Sequence, residues 1–113
     1  MKTIRFILLV ALILGSSFGA AGAAETVKVG LLAPLTGFAA ADGASVKNSV
    51  DLAVEKINRA GGLLGKKVEL VTYDDRADAK EAVALAQKLI QQDQVVGLVA
   101  GSYSMPTRAV APR

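Results

Sequence analysis

The chain is predicted to fold as an α/β protein with a doubly wound parallel sheet. Three apolar runs, Val27–Ala33, Lys67–Tyr73 and Val95–Ala100, alternate with two helical patterns, giving β-α-β-α-β followed by a loop and the start of a third helix. Such alternation implies parallel strands joined by right-handed crossovers. The first run is almost continuously apolar, as expected of a strand covered by helices on both faces. A double glycine, Gly61-Gly62, closes the first helical pattern with the left-handed stop that glycine permits.

Residues before this pattern form a separate segment. Lys2 and Arg5 precede a nine-residue apolar run, Phe6–Leu14, and small residues then lead to Ala23 and Ala24. This is the three-part layout of a secretory signal peptide over residues 1–24, with cleavage after Ala23 or Ala24. The apolar run falls well short of the ~20 residues a membrane-spanning helix needs. Without Lys2 and Arg5 the formal net charge falls from +3 to +1, and the remaining cations are dispersed, so no nucleic-acid partner is expected.

The sequence has no cysteine and no histidine. Most zinc sites and nucleophile–base pairs are thereby unavailable, and neither an enzyme active site, a metal nor a cofactor is expected in this segment. A signal without a lipid-acceptor cysteine implies a product that is not lipid-anchored, which favours a periplasmic location.

In chain order, Pro34 ends the first strand and Gly37 permits a tight turn. Asp42 or Ser45 is expected to cap the first helix. Its core face should carry Val46, Val50, Ala53, Val54 and Ile57, with Lys47/Asp51 and Glu55/Arg59 paired on the exposed side. Strand two ends in Asp74-Asp75. Asp78 and Glu81 have capping-box spacing at the start of helix two, whose core face should be Ala82, Val83, Ala86, Leu89 and Ile90. Pro106 suits the first turn of a third helix, inside which Arg113 falls, so the sequence reads as the amino-terminal piece of a longer protein. One helix per face and an unpaired outer edge on the third strand also make thin cover for a domain this small.

Three motif readings fail on residue identity. Ala60 and Lys67 stand where a P-loop needs Gly and Ser or Thr. Asp74, Asp75 and Asp78 lack EF-hand spacing and read as a strand end and a helix cap. The dinucleotide fingerprint G-x-G-x-x-G is absent after strand one.

Fold logic nominates a different site. Both common doubly wound orders place strand one between its neighbours, and ligands bind where the strand carboxyl ends diverge. The loops there are Pro34–Asp42 and Ser102–Thr107. In the second, hydroxyls ahead of a helix are either plain caps or partners for an anion.

Several stretches closely resemble periplasmic branched-chain amino-acid-binding proteins, the solute-capturing subunits of ABC importers. They are VKVGLLAPLTG at Val27–Gly37, LAVEKINRAGGLLGKK at Leu52–Lys67, YDD at Tyr73–Asp75, AVALAQKLI at Ala82–Ile90 and GSYS at Gly101–Ser104. The resemblance implies the type I periplasmic-binding fold: two α/β lobes closing on an amino acid, with residues 25–113 forming the first half of the amino-terminal lobe. It also implies a membrane permease as partner, a monomeric state and a ligand face on Ser102, Tyr103, Ser104, Met105 and Thr107 with Phe38 and Asp42. Met105 stands where the family often has serine, and Asp42 where it often has an aromatic. Relatives binding other amino acids, amides or urea share the scaffold, and the same fold also serves as a receptor's extracellular sensing domain.

Overall fold

The computed structural model describes residues 25–111; residues 1–24, where a signal peptide is expected, and residues 112–113 lie outside the described residues. Strand β1 (Thr26–Ala33) leads through a single 3-10 turn at Gly37–Ala39 into helix α1 (Ala40–Arg59). Strand β2 (Lys67–Asp74), helix α2 (Ala79–Gln91), strand β3 (Gly97–Val99) and helix α3 (Ser104–Val110) follow. The three strands form one parallel sheet in the order β2-β1-β3. β1 is central, with Thr26 in register with Lys67 and Ala33 with Asp74 on one side, and Val29 with Gly97 on the other. This is the expected doubly wound order.

Leu31, Leu32 and Ala33 are fully buried, which accounts for the unbroken apolar run of a strand covered on both faces. Leu32 packs with Ala82, Ala86 and Leu89 of α2. Gly30 faces the same helix, and a Cβ there would lie 2.9 Å from the Leu89 side chain. The small residue lets α2 settle onto the strand.

Helix α2 is capped as its sequence indicates. The Asp78 carboxylate accepts from the N–H groups of Lys80 and Glu81, both at 2.9 Å. The capping box does not close, because Glu81 turns away to pair with Arg76 at 2.5 Å. On the core face, Ala82, Ala86 and Leu89 are buried as expected, but Val83 and Ile90 are exposed. Leu85 takes part in the packing instead, since the buried arc is centred one residue further round the helix.

Helix α1 departs more. It starts at Ala40, not at Asp42 or Ser45, and its cap residue Ala39 makes no side-chain hydrogen bond. The 3-10 turn runs directly into it and supplies the entry, leaving Asp42 in the first helical turn. Ser45 instead donates back to the Ala41 carbonyl at 3.1 Å. Val46, Val50 and Val54 are half-buried, while Ala53 and Ile57 are exposed. The Lys47–Asp51 and Glu55–Arg59 pairs form on its solvent side.

The double glycine works as expected. Gly61 and Gly62 have φ of 105° and 82°, and the Gly62 N–H returns to the Ile57 carbonyl at 2.9 Å. β3 is shorter than the predicted Val95–Ala100. The left-handed Gln94 (φ 58°) delivers the chain late to the sheet, and the Val95 N–H is taken by the Leu89 carbonyl at the end of α2. The third helix ends at Val110, and Ala111 is already extended.

Candidate functional site

The two nominated loops meet. From the β1 side, Phe38 sits in the 3-10 turn and Asp42 in the first turn of α1. From the β3 side, Tyr103 immediately precedes α3. The Phe38 and Tyr103 rings stand edge to face, with centroids 5.7 Å apart and planes at 85°. The Tyr103 hydroxyl donates to Asp42 Oδ2 at 2.8 Å, across 61 residues of sequence. That donation to a carboxylate, reinforced by slight burial and by the Asp42 charge, raises the Tyr103 phenol above its ordinary pKa.

The remaining nominated residues continue the same surface. Ser104 opens α3 and is exposed, as is Met105. Pro106 is buried within the first helical turn, as its fixed φ allows. Thr107 is committed locally, its hydroxyl donating to the Tyr103 carbonyl at 2.7 Å. Ser102 is different. Its Oγ is buried and has no hydrogen-bond partner among the described residues. A buried hydroxyl left unpaired is costly, which sets this atom apart from the paired Thr107 hydroxyl.

The β1 loop is anchored from below by β2. Asp74 Oδ1 accepts from the Leu35 N–H at 2.8 Å and from the Arg76 N–H at 2.9 Å, while Oδ2 accepts from the Thr36 hydroxyl at 2.5 Å. Partial burial opposes ionisation of Asp74, but these donors outweigh it and hold its pKa below the ordinary carboxylate value. Neighbouring Asp75 goes the other way. Its burial and the nearby Asp74 charge raise its pKa, and the single N–H it receives from Ala77 at 2.9 Å opposes this without outweighing it. Between the two carboxylates and α2 the chain turns through left-handed Arg76 and Ala77 (φ 50° and 57°). The Asp74–Asp78 stretch is therefore a turn whose carboxylates are satisfied by its own N–H groups and, at Asp74, by the β1 loop.

Two grooves lie elsewhere. One runs between α2 and α3, lined by Ala79, Val83, Ala84 and Ala109. The other is at the amino-terminal end of the strands, beside Lys28, Lys66 and Asp93. Neither includes a nominated residue.

Sequence reasoning missed Asp74 and Asn58 as positioning groups. Asn58 receives Val68 N–H on Oδ1 at 2.7 Å and donates Nδ2–H to the Val68 carbonyl at 2.8 Å, clamping α1 to β2. The signal was an amide in an otherwise apolar helical row just before the double glycine.

Comparison with known proteins shows the family. The family profile described as periplasmic binding protein matches residues 26–113, and the chain belongs to that family, one of substrate-binding proteins rather than enzymes. It is 42% identical over 86 residues to the leucine-, isoleucine-, valine-, threonine- and alanine-binding protein of Pseudomonas aeruginosa, covering 74% of this chain and 23% of that protein. Among solved structures it is similar to the branched-chain amino acid transporter substrate binding protein LivJ of Streptococcus pneumoniae in complex with isoleucine. That match has a TM-score of 0.72 and 34% identity, over 75% of this chain and 24% of that one. It is also similar to a solute binding protein of an ABC transporter from Rhodopseudomonas palustris in complex with 3,4-dihydroxybenzoic acid. Here the TM-score is 0.58 and the identity 37%, over 65% of this chain and 20% of that one. The segment thus spans about a quarter of the length of the relatives it matches.

Proposed function

We propose that the protein is the solute-binding subunit of an ABC importer that captures a branched-chain amino acid in the periplasm and passes it to a membrane permease. The observation that carries this reading is the convergence of Phe38 and Asp42 with Tyr103 at the carboxyl ends of β1 and β3. In a doubly wound sheet that is where ligands bind. The names of the relatives supply the ligand class.

In this reading residues 1–24 are a cleaved signal, the product is a soluble monomer without a lipid anchor, and residues 25–113 contribute one face of a two-lobed cleft. The hydroxyls of Ser102 and Ser104 receive the ligand carboxylate, and Thr107 braces the turn that carries them through the Tyr103 carbonyl. Phe38 and Met105, 83% and 69% exposed, offer apolar cover to the ligand side chain once the second lobe closes over them. Tyr103 and Asp42 tie the two loops into a single surface.

A second ligand class has support from the dihydroxybenzoate-bound neighbour. An aromatic carboxylate shares with leucine a carboxylate head and an apolar body, and Phe38 and Tyr103 could stack against its ring. A thermal-shift screen of the full-length protein separates the two. Leucine, isoleucine and valine should stabilise it, by about 2.7 kcal/mol at 100 times Kd. Stabilisation by hydroxybenzoates alone would replace the ligand class, and stabilisation by no amino acid or aromatic acid would refute solute capture.

A further inference from the structure

We infer that Asp74, at the end of β2 and outside the ligand face, is the positioning residue that presents Phe38 and Asp42 to Tyr103. The inference rests on the reading of that face as the ligand site. Asp74 is the last residue of a strand that contributes no nominated residue. Its carboxylate holds Leu35 and Thr36 by a main-chain and a side-chain hydrogen bond, bridging 39 and 38 residues of sequence.

What lies between that anchor and Phe38 has little else to fix it. Thr36 is extended and exposed, and makes no capping bond to the turn it precedes. Gly37 follows with φ +80°, and nothing comes within 4 Å of where its Cβ would be. Phe38 is 83% exposed, so burial does not hold its ring; its aromatic neighbour among the described residues is Tyr103. Pro34 and Ala39 on either side of the turn are buried, so packing holds its ends, and the exposed stretch between them is set by two donors on one carboxylate. Charge-assisted bonds of this kind are about twice as strong as neutral ones and are directional, which suits them to fixing a turn. Asp74 also receives the Arg76 N–H, so the carboxylate is itself fixed by the turn that starts α2.

The test uses the full-length protein with Asp74→Ala, Asp74→Asn and Thr36→Val, the last removing only the hydroxyl that reaches Oδ2. Two readouts are taken on folded protein: the isoleucine Kd, and the phenol titration of Tyr103, isolated by ultraviolet difference against matching variants carrying Tyr103→Phe. Asp74→Ala should weaken isoleucine binding about tenfold and Thr36→Val about threefold, in line with the loss of hydrogen bonds to a charged group. Asp74→Asn, which keeps an acceptor for Leu35, should fall between them and wild type. In Asp74→Ala and Thr36→Val the Tyr103 phenol should move down toward its ordinary value, a change that loss of stability alone would not produce. An unchanged Tyr103 titration in both folded variants would overturn the inference. If the wild type fails to bind isoleucine, the proposed ligand class fails, and the Tyr103 titration still decides the role of Asp74.

Discussion

The two long helices flank the same central strand but are held in different ways. Helix α2 is fixed by side-chain burial: Ala82, Ala86 and Leu89 close on Leu32, and Leu89 has no exposed surface. Helix α1 is longer, yet its one buried residue is Gly43, and Leu52 and Ile57 are 63% and 41% exposed. It is located instead by close approach and directed bonds. A Cβ on Gly43 would lie 1.9 Å from the Pro34 carbonyl oxygen, and Asn58 grips both main-chain groups of Val68. Burial is non-directional and tolerates small shifts, whereas an amide bonded to one peptide unit fixes register. The directed restraints lie on the helix that carries Asp42, and Asp74 adds another on the turn before it. The Phe38–Asp42 side is therefore positioned by close approach and polar geometry, and the α2 side by side-chain packing.

This contrast can be broken from either side. Leu89→Ala should have the largest effect, lowering stability by about 2–5 kcal/mol in denaturant unfolding, because it empties a fully buried site. Asn58→Ala should lower it by about 1–3 kcal/mol, since the part-buried Val68 N–H and carbonyl lose their partners. The two should differ in kind: Leu89→Ala leaves the isoleucine Kd of the folded fraction intact, and Asn58→Ala weakens it by letting α1 shift. Equal effects on affinity would erase the distinction.

The smallest effect is a pH dependence at the end of β2. Asp74 has a lowered pKa, so its contribution is present above the ordinary carboxylate value and is lost as pH falls through the folded value. Asp75 has a raised pKa, so its ionisation costs stability at neutral pH and that cost is relieved as pH falls. Asp75→Asn should therefore match or slightly exceed wild-type stability at neutral pH and lose that advantage in acid. A loss at neutral pH would mean the Asp75 charge is used by the fold.

Much of this architecture was legible in the sequence because it follows from period and punctuation. The unbroken apolar run of β1, the Asp78 cap and the Gly61-Gly62 stop each depend on residues near one another in the chain, and each formed where expected. The convergence of Phe38, Asp42 and Tyr103 was legible only through topology, which brings the carboxyl ends of β1 and β3 together. What stayed hidden was long-range and polar. Asp74 reads locally as a strand end, Asn58 as an amide interrupting an apolar helical row, and their partners lie 39 and 10 residues away. The start of α1 was misplaced because Asp42 and Ser45 are good caps, while the 3-10 turn at Gly37–Ala39 enters the helix without one. Val83 and Ile90 looked like core because an apolar row does not say how wide a face its sheet can cover.

The most direct test of the ligand face is an isoleucine titration of the full-length protein with isotope-labelled phenylalanine and tyrosine rings, followed by NMR. Phe38 and Tyr103 resonances are assigned from Phe38→Leu and Tyr103→Phe. If the two loops form one binding surface, both rings shift together and saturate at the same isoleucine concentration. Saturable binding that leaves both rings unmoved would contradict the account and place the ligand on another part of the fold.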